Sequence, residues 1–386
     1  MTTTINNEHK KLNVPNLRFP EFQGEWKRTI FKNVITLQRG SSPRPIIEYV
    51  TTSDDGVNWI KIGDMPHFGR IVTSTEEKIT KEGAKKSRQV NKGDLILSNS
   101  MSYGLPYIMG IDGYIHDGWF VLKNFENTFD KDYLCNLLIS SAIQNQYKRL
   151  AAGGVVQNIS SDLVNSVSVS IPTMMEQKKI SSLLNLIDER IATQNKVIDK
   201  LQSLIKGIRN DVFGKLRKDI GLNAKVGDVL SYEQPQPYIV EDTEYTAGGT
   251  PVLTANKAFV LGYTSETDGI YDKGDCIIFD DFTLGCKYVD FPFKVKSSAI
   301  KILTAKNKEL LRYTFEFLKY LDLSTDEHKR HYIAETQNQE FILPTTQIVR
   351  TIAHAFSTLS SRMQTIVKQR DMLELQKQYL LRQMFI

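Results

Sequence analysis

Residues that could act as catalysts or metal ligands are few and scattered in this chain. Of its six histidines, His328 and His331 fall together in the basic run HKRH, and the others lie far apart. The sequence has no Gly-rich Lys-Ser or Lys-Thr loop for phosphate, no Gly-x-Gly-x-x-Gly turn and no His-Glu-x-x-His pair. It also lacks the Asn-Pro-Pro-aromatic motif and the Gly-rich S-adenosylmethionine loop of amino-methyltransferases. We therefore expect no active site and no bound metal.

The composition predicts an intracellular protein of more than one domain. Cys135, Cys276 and Cys286 have spacings that fit neither a disulfide framework nor a zinc site, so we expect reduced packing residues in the cytoplasm. The polar start and the absence of about 18 uninterrupted apolar residues predict neither an export signal nor a membrane span. With 386 residues, 41% of them apolar, two or three domains are expected. The net charge of +5 is compatible with nucleic acid but is weak evidence for it.

The chain carries the same unit twice. KGDLILSNSMSYG, which begins at Lys92, aligns with KGDCIIFDDFTLG, which begins 181 residues later. IPTMMEQKKISSLLNLIDERI, which begins at Ile171, aligns without a gap with LPTTQIVRTIAHAFSTLSSRM, 172 residues later. Self-similarity of this kind indicates a duplicated architecture.

Both copies of the second repeat have the pattern of a long helix that begins after a proline, and Thr173 and Glu176 have the spacing of a capping box. Alternate steps of four and three residues meet mostly apolar side chains, a heptad seam that requires a partner helix. The seam consists of Ile180, Leu184, Ile187, Ile191, Ile198, Leu201 and Ile205 in the first helix and Ile352, Phe356, Leu359, Met363, Ile366, Leu373 and Leu380 in the second. Each helix would be roughly 60 Å long, more than a domain of about 130 residues is wide, so we expect the helices to pack on each other. Gln194 and Arg370 interrupt the seam and are expected to help fix its register.

The fold class expected is α+β, with two mixed domains joined by two long helices that form an antiparallel coiled coil with a pseudo-twofold repeat. The segments are a flexible arm at 1–21, a mixed domain at 22–170, a helix at 171–217, a second mixed domain at 218–342 and a second helix at 343–386. Two similar but divergent domains at a fixed separation are suited to linear DNA. They would read a bipartite, non-palindromic site whose half-sites lie about one helical turn (~34 Å) or a small multiple apart.

Four segments resemble those of type I restriction-modification specificity (S) subunits. They are VPNLRFPEFQGEWKRTIFKNV at 14–34, GDLILSNSMSYG, AGGVVQNISSDLVNSVSVSIP at 152–172 and EQKKISSLLNLIDERI at 176–191. The resemblance covers nearly the whole chain. It departs at one place, because GGVVQNIS in the first copy has no clear counterpart in HYIAETQNQEFILP.

The resemblance implies two target recognition domains that alternate with two spacer helices in a subunit that is not itself catalytic. It implies that the subunit scaffolds two modification subunits, which are adenine-N6 methyltransferases that use S-adenosylmethionine. Through them it would carry restriction subunits that use ATP and Mg. No cofactor is expected on this chain itself. Two alternatives stay open: an enzyme whose motifs are unrecognised, and a coiled-coil adaptor that joins two protein-binding domains and binds no DNA.

The turn after the repeated strand differs between the copies while its flanks persist, so we expect base contacts there. The candidates are Asn99, Ser100, Ser102 and Tyr103 in the first copy and Asp280, Asp281 and Thr283 in the second. Basic residues expected to contact phosphates are Lys61, Lys85, Lys86, Arg88, Lys257, Lys329 and Arg330. Gln157 lies in the glycine-rich stretch AAGGVVQN, which could hold an anion through its backbone amides and is otherwise a simple turn.

Overall fold

The structure, a computed structural model, describes residues 12–66, 68–99, 104–151, 159–255, 258–325 and 329–386. It divides into two compact units, the first made of Met1–Asn195 with Lys368–Ile386 and the second of Lys196–Val367. Within the described ranges, no helix combines the length and the apolar character needed to cross a membrane.

The described part of the first unit contains two five-stranded sheets and a two-stranded ribbon. The strands are β1 (Lys27–Ile30), β2 (Thr36–Arg39), β3 (Val50–Thr51), β4 (Val57–Ile60), β5 (Ile71–Val72), β6 (Glu77–Ile79), β7 (Arg88–Val90), β8 (Leu95–Ser98), β9 (Pro106–Met109), β10 (Gly113–Ile115), β11 (Trp119–Lys123) and β12 (Ser168–Ile171). The helices are α1 (Lys81–Ala84), α2 (Lys131–Ile139), α3 (Ser141–Ala151) and α4 (Ser161–Ser166). The sheets have the orders β2-β11-β8-β9-β5 and β3-β6-β4-β10-β7, and β1 pairs with β12.

The repeated strand β8 lies at the centre of its sheet and is buried on both faces. Because side chains alternate along a strand, Leu95 and Leu97 enter one core together with Phe120, while Ile96 enters a second core with Trp119. Burial on both faces explains why this strand is a continuous apolar run.

The second unit repeats this plan with fewer strands. Two long helices flank it in the chain, α5 (Met174–Asp219) before it and α8 (Thr346–Gln383) after it. Between them lie β13 (Ala224–Lys225), α6 (Val226–Val229), β14 (Leu230–Glu233), β15 (Thr250–Leu253), β16 (Val260–Thr264), β17 (Cys276–Asp280), β18 (Cys286–Val289), β19 (Lys294–Val295), β20 (Ile300–Ala305), α7 (Leu310–Leu321) and β21 (Glu340–Phe341). The sheets are β14-β20-β17-β18 and β16-β15-β19, and β13 pairs with β21. The second repeated strand, β17, again contributes alternate side chains to two cores.

The start of α5 differs in one respect from the predicted capping box. Thr173 Oγ1 accepts a hydrogen bond from the Glu176 amide at 3.3 Å, as expected. The Glu176 carboxylate, however, accepts from Arg18 Nε at 2.7 Å and from Trp26 Nε1 at 3.3 Å. Glu176 therefore ties the N-terminal segment to α5. Its ion pair with Arg18 takes the place of the reciprocal bond of a capping box.

The two long helices contact each other and run in opposite directions. In the first unit, Lys377 Nζ of α8 donates to Asp188 Oδ1 of α5 at 2.5 Å. In the second unit, the Arg209 guanidinium of α5 lies 5.7 Å from the ring centre of Phe356 in α8. A step forward along α5 therefore matches a step backward along α8. Every residue of the heptad seam is buried or half-buried, and the antiparallel coiled coil is confirmed.

The polar positions near the middle of the seam lie somewhat differently from the prediction. Arg370 pairs with Asp371 of its own helix at 2.6 Å. The deeply buried polar residue there is Asn195, next to Gln194, with 6% of its surface exposed. Its Nδ2 has no hydrogen-bond partner among the described residues. The role of Gln194 and Arg370 in fixing the register stays a prediction.

Candidate nucleic-acid interface

In the first unit, residues 116–118 carry the chain from one sheet to the other, between β10 and β11. The carbonyl oxygen of Asp117 accepts from Asn99 Nδ2 at 2.9 Å and from Arg39 Nε at 3.3 Å. Beside it, the turn after β2 passes so close that a Cβ on Gly40 would lie 2.0 Å from the His116 carbonyl oxygen. Only glycine fits at that position, so the end of β2 and the crossing segment are held together.

The Asp117 side chain organises the turn that follows β2. Its carboxylate accepts from Ser42 Oγ at 2.7 Å and pairs with Arg44 Nη2 at 3.1 Å. The hydrogen bond from Ser42 is the main reason why the pKa of Asp117 is lowered, and Arg44 adds to the effect. The carboxylate is therefore charged at neutral pH and fixes the base of the turn.

A group of exposed basic side chains surrounds this turn, and we call it the basic face. Its members are Arg39, Arg44, Lys85, Lys86 and Arg88. Two hydrogen bonds join its parts, from Arg88 Nε to the Arg39 carbonyl oxygen and from Ser41 Oγ to the Lys86 carbonyl oxygen, both at 3.1 Å. Several cations close together on one surface can neutralise successive phosphates and release their counterions, which is the main source of affinity for a nucleic-acid backbone.

The structure thus brings together three of the predicted phosphate contacts, Lys85, Lys86 and Arg88. Sequence reasoning missed Arg39 and Arg44. The signal was present in QRGSSPRP, where two arginines bracket a turn directly after a strand. Lys61, another predicted contact, donates instead to Glu77 at 2.7 Å and is half-buried.

The predicted base contact at Asn99 is not supported, because only 5% of this residue is exposed. Its amide group is bonded to the crossing segment at the Asp117 carbonyl, and its main-chain N–H donates to the Gly118 carbonyl at 2.9 Å. Asn99 therefore holds the base of the turn. The predicted contacts Ser100, Ser102, Tyr103, Gln157 and Lys257 lie outside the described residues.

Asp280 and Asp281 in the second unit also differ from the prediction, since both are buried, with 4% and 1% exposed. Asp280 Oδ1 accepts from the main-chain amides of the next turn, at 3.0 and 2.9 Å. Asp281 Oδ1 accepts from the amides of His331 and Tyr332 at 3.1 and 2.8 Å, and Lys301 Nζ lies 3.6 Å from its other oxygen. Carboxylates occupied in this way shape the loop and are not available to base edges.

Other predicted residues of the second unit are exposed. Thr283 lies on the surface of the turn after β17, where a base contact is sterically open. Arg330 is exposed, with its guanidinium 6.0 Å from the ring centre of Phe282, and Lys329 lies 2.9 Å from Glu335. These two basic residues stay candidates for phosphate contact.

The ends of the two repeated strands are pinned in the same way. The carbonyl oxygen of Asn99 accepts from the Ile159 amide at 2.8 Å, and that of Asp281 accepts from the His331 amide at 3.0 Å. Ile159 and His331 are 172 residues apart, the shift found for the long helices. The segment HYIAETQNQEFILP is therefore the structural counterpart of the segment that leads into α5, although the sequences show no likeness.

The chain thus consists of two divergent copies of a strand-rich domain, each followed by a long helix of an antiparallel pair. Residues 24–203 match the type I restriction modification DNA specificity domain. A specificity subunit of a type I restriction enzyme of Escherichia coli is 45% identical over 126 residues, which is 31% of each chain. A specificity subunit from Methanocaldococcus jannaschii is 25% identical over 54% of this chain and 50% of its own length. These matches span about a third to a half of the curated relatives.

Two solved structures share the fold. The type I S subunit of M. genitalium superposes with a TM-score of 0.59 over 97% of this chain and 99% of its own, at 15% identity. A chain from a study of complex assembly and conformational transition of the type I system superposes with a TM-score of 0.53 over 92% of this chain and 96% of its own, at 14% identity. Residues 24–203 therefore carry a type I restriction modification DNA specificity domain, and the whole chain shares the fold of solved type I S subunits.

Proposed function

We propose that this chain reads a bipartite, asymmetric DNA site, with one recognition domain for each half-site. In this proposal it scaffolds two modification subunits, which methylate adenine, and carries restriction subunits through them. The observation that supports it best is the basic face, built on a turn that Asp117 and Gly40 hold in place. The turn after the repeated strand, which differs in sequence between the two copies, supports two different half-sites.

Support for a partner that docks on the helices comes from a second apolar stripe on α8. Met372, Leu375 and Tyr379 are 70%, 63% and 55% exposed, and their spacing of three and four residues places them on one helix face. The seam residues Leu373 and Leu380 point elsewhere, into the contact with α5. Exposed apolar residues in a row mark a surface for another protein, and a helix is the partner that fits this spacing.

The chemistry belongs to the partners in this proposal. S-adenosylmethionine would bind to the modification subunits, and ATP with Mg to the restriction subunits, while this chain selects the site. The complex would work in the cytoplasm, where the host DNA and invading DNA are found.

The test is to reconstitute the full chain with its modification subunits and to map methylated adenines in exposed DNA. We expect methylation at one bipartite sequence with a fixed gap, and none when either component is omitted. Methylation without this chain at the same sites would refute the proposal. Failure of the chain to bind DNA, alone or in the complex, would favour the coiled-coil adaptor.

The basic face can be tested by changing Arg44→Ala and Lys85→Ala together. Both side chains are exposed, so the fold should persist. Affinity should fall for all DNA sequences alike, and the slope of log K against log salt should fall by about one for each phosphate that the variant no longer neutralises. Lys32→Ala, an exposed lysine four residues before β2 begins, is the matched control and should change neither quantity. A change in the methylated sequence itself would mean that these residues read bases.

A further inference from the structure

In the second unit, a buried carboxylate joins the recognition domain to both long helices. Glu316 of α7 is 1% exposed. Its Oε2 accepts from Arg209 of α5, from Nε at 2.9 Å and from Nη2 at 2.7 Å. Its Oε1 accepts from Arg312 at 2.7 Å, and Arg312 also donates to the Phe356 carbonyl oxygen of α8 at 3.2 Å. We call Arg209, Glu316 and Arg312 the second ion cluster.

The first unit has an ion cluster that also joins its domain to both long helices, although here the carboxylate lies on α5 and the cations lie in the domain and on α8. Arg70 lies in the domain, directly before β5, and its Nη2 donates to Asp188 of α5 at 3.0 Å. Lys377 of α8 donates to the other Asp188 oxygen at 2.5 Å. The same Arg70 nitrogen donates to Asn136 Oδ1 of α2 at 3.0 Å, and Asn136 is fully buried. Arg70, Asp188 and Lys377 form the first ion cluster.

The two clusters occupy equivalent places in the repeat. In each unit a tyrosine packs on a phenylalanine at the end of a long helix, with ring centres 5.3 Å apart: Tyr133 on Phe385, and Tyr313 on Phe213. Three residues after each tyrosine come Asn136 and Glu316. Each domain therefore meets its stretch of the helix pair through a polar contact, which is fully buried at Glu316 and partly exposed at Asp188, whose side chain is 34% exposed.

Buried ion pairs of this kind contribute little net stability, because removing the charges from water offsets their attraction. The desolvation is visible at Lys377, where burial lowers the pKa and Asp188 opposes the shift. A buried ion pair instead fixes the relative orientation of the two elements that it joins. An apolar contact can be repacked with side chains of similar volume, whereas a bidentate ion pair has one geometry. Buried polar groups are best attested in this role of fixing register.

We propose that Asp188 and Glu316 are positioning residues that hold each recognition domain at one orientation on its own stretch of the helix pair. They thereby make the subunit selective for one gap between the half-sites. The inference rests on the proposed function, because it concerns how the same DNA site is measured.

The test uses the full chain with its modification subunits and DNA in which the mapped half-sites are one base pair closer, at the natural gap, or one base pair further apart. For the unchanged chain, the natural gap should be strongly preferred. Glu316→Gln keeps the side-chain shape but removes the charge that both arginines need. We expect the ratio of methylation rates between the natural and altered gaps to fall about tenfold, as for the loss of one charge-assisted hydrogen bond. The bases of both half-sites should be unchanged, since nothing that could touch them is altered.

The matched control is Glu309→Gln, which removes an exposed ion pair between the start of α7 and α8, from Glu309 to Arg350 at 2.7 Å. It should leave the ratio as it is. Arg209→Lys decides the question if Glu316→Gln fails to fold, since lysine keeps the charge but cannot make the bidentate pair. An unchanged ratio in the folded variant would overturn the inference and leave the proposed function standing. A normal chain that methylates no bipartite site would overturn both.

Discussion

The docking of the last residues of the chain on the first unit gives a direct test of the fold. Phe385 follows α8, is 3% exposed, and lies in the same core as Ile180 and Leu184 of α5. Its ring stacks obliquely on Tyr133. Phe385→Ala should remove this anchor without changing any charge.

The size of the effect follows from the burial. Truncating a buried phenylalanine to alanine costs about 3 to 5 kcal/mol, and a position next to the chain end should lie near the lower figure because neighbours can close around it. For a denaturant slope of about 3 kcal/mol per molar urea, a loss of about 3 kcal/mol lowers the unfolding midpoint by about 1 M.

The assay relies on the positions of the tryptophans in the chain. All three tryptophans, Trp26, Trp59 and Trp119, belong to the first unit, so tryptophan fluorescence reports that unit alone. Phe385→Ala should lower the midpoint seen by fluorescence. Phe213→Ala, the equivalent change in the second unit, should mainly shift the transition seen by far-UV circular dichroism.

Tyr379→Ala is the control on the same helix, because this side chain is 55% exposed and its loss should change the unfolding free energy by less than about 0.5 kcal/mol. If Phe385→Ala and Tyr379→Ala gave the same fluorescence midpoint, Phe385 would not be docked on the first unit. The antiparallel register of the helices would then be wrong.

Two further predictions concern the residues that hold the turns. Asp281→Asn leaves Lys301 buried without its carboxylate, so the unfolding free energy of the second unit should fall by about 3 kcal/mol. Circular dichroism in urea measures this change. A methylation map that showed new half-site bases would contradict the role of Asp281 in holding the loop. Burial lowers the pKa of His116 below its usual 6.5, and its Nδ1 accepts from the Gly118 amide at 2.7 Å, which requires the neutral ring. The unfolded chain therefore binds the proton first as the pH falls, so stability present above pH 6.5 should be lost as the pH falls from 6.5 through the lower pKa of the folded chain. Fluorescence-detected urea midpoints should show this decline, and His116→Asn should abolish it.

The long helices could be predicted from the sequence because a heptad pattern is local. Each seam position is defined by residues three and four places away, and the partner helix lies in the same chain. The ends were less accurate: α5 begins at Met174 and ends at Asp219, where 171–217 was expected. Burial of Glu176 by Arg18 could not be anticipated, because the two residues are 158 positions apart.

The candidate base contacts were harder to predict for the same reason. Asn99, Asp280 and Asp281 are polar residues at the end of a strand, a place that usually faces solvent. Whether such a side chain is exposed depends on segments far along the chain, such as residues 116–118 and 331–332. A single sequence gives the polarity of these residues but not the partners that bury them. Arg39 and Arg44 were missed because their neighbours in the basic face come from β7 and from the turn that follows α1.

A main-chain hydrogen bond closes the base of the turn after each repeated strand, and under the proposed function this bears on how the DNA target can change. In the first unit the Gly104 amide donates to the Ser98 carbonyl at 3.2 Å, and in the second the Leu284 amide donates to the Asp280 carbonyl at 3.0 Å. Both bonds use main-chain atoms, which every amino acid except proline can supply. Under the proposed function, substitutions between these closing bonds are therefore expected to change the target while the strands on either side stay as they are.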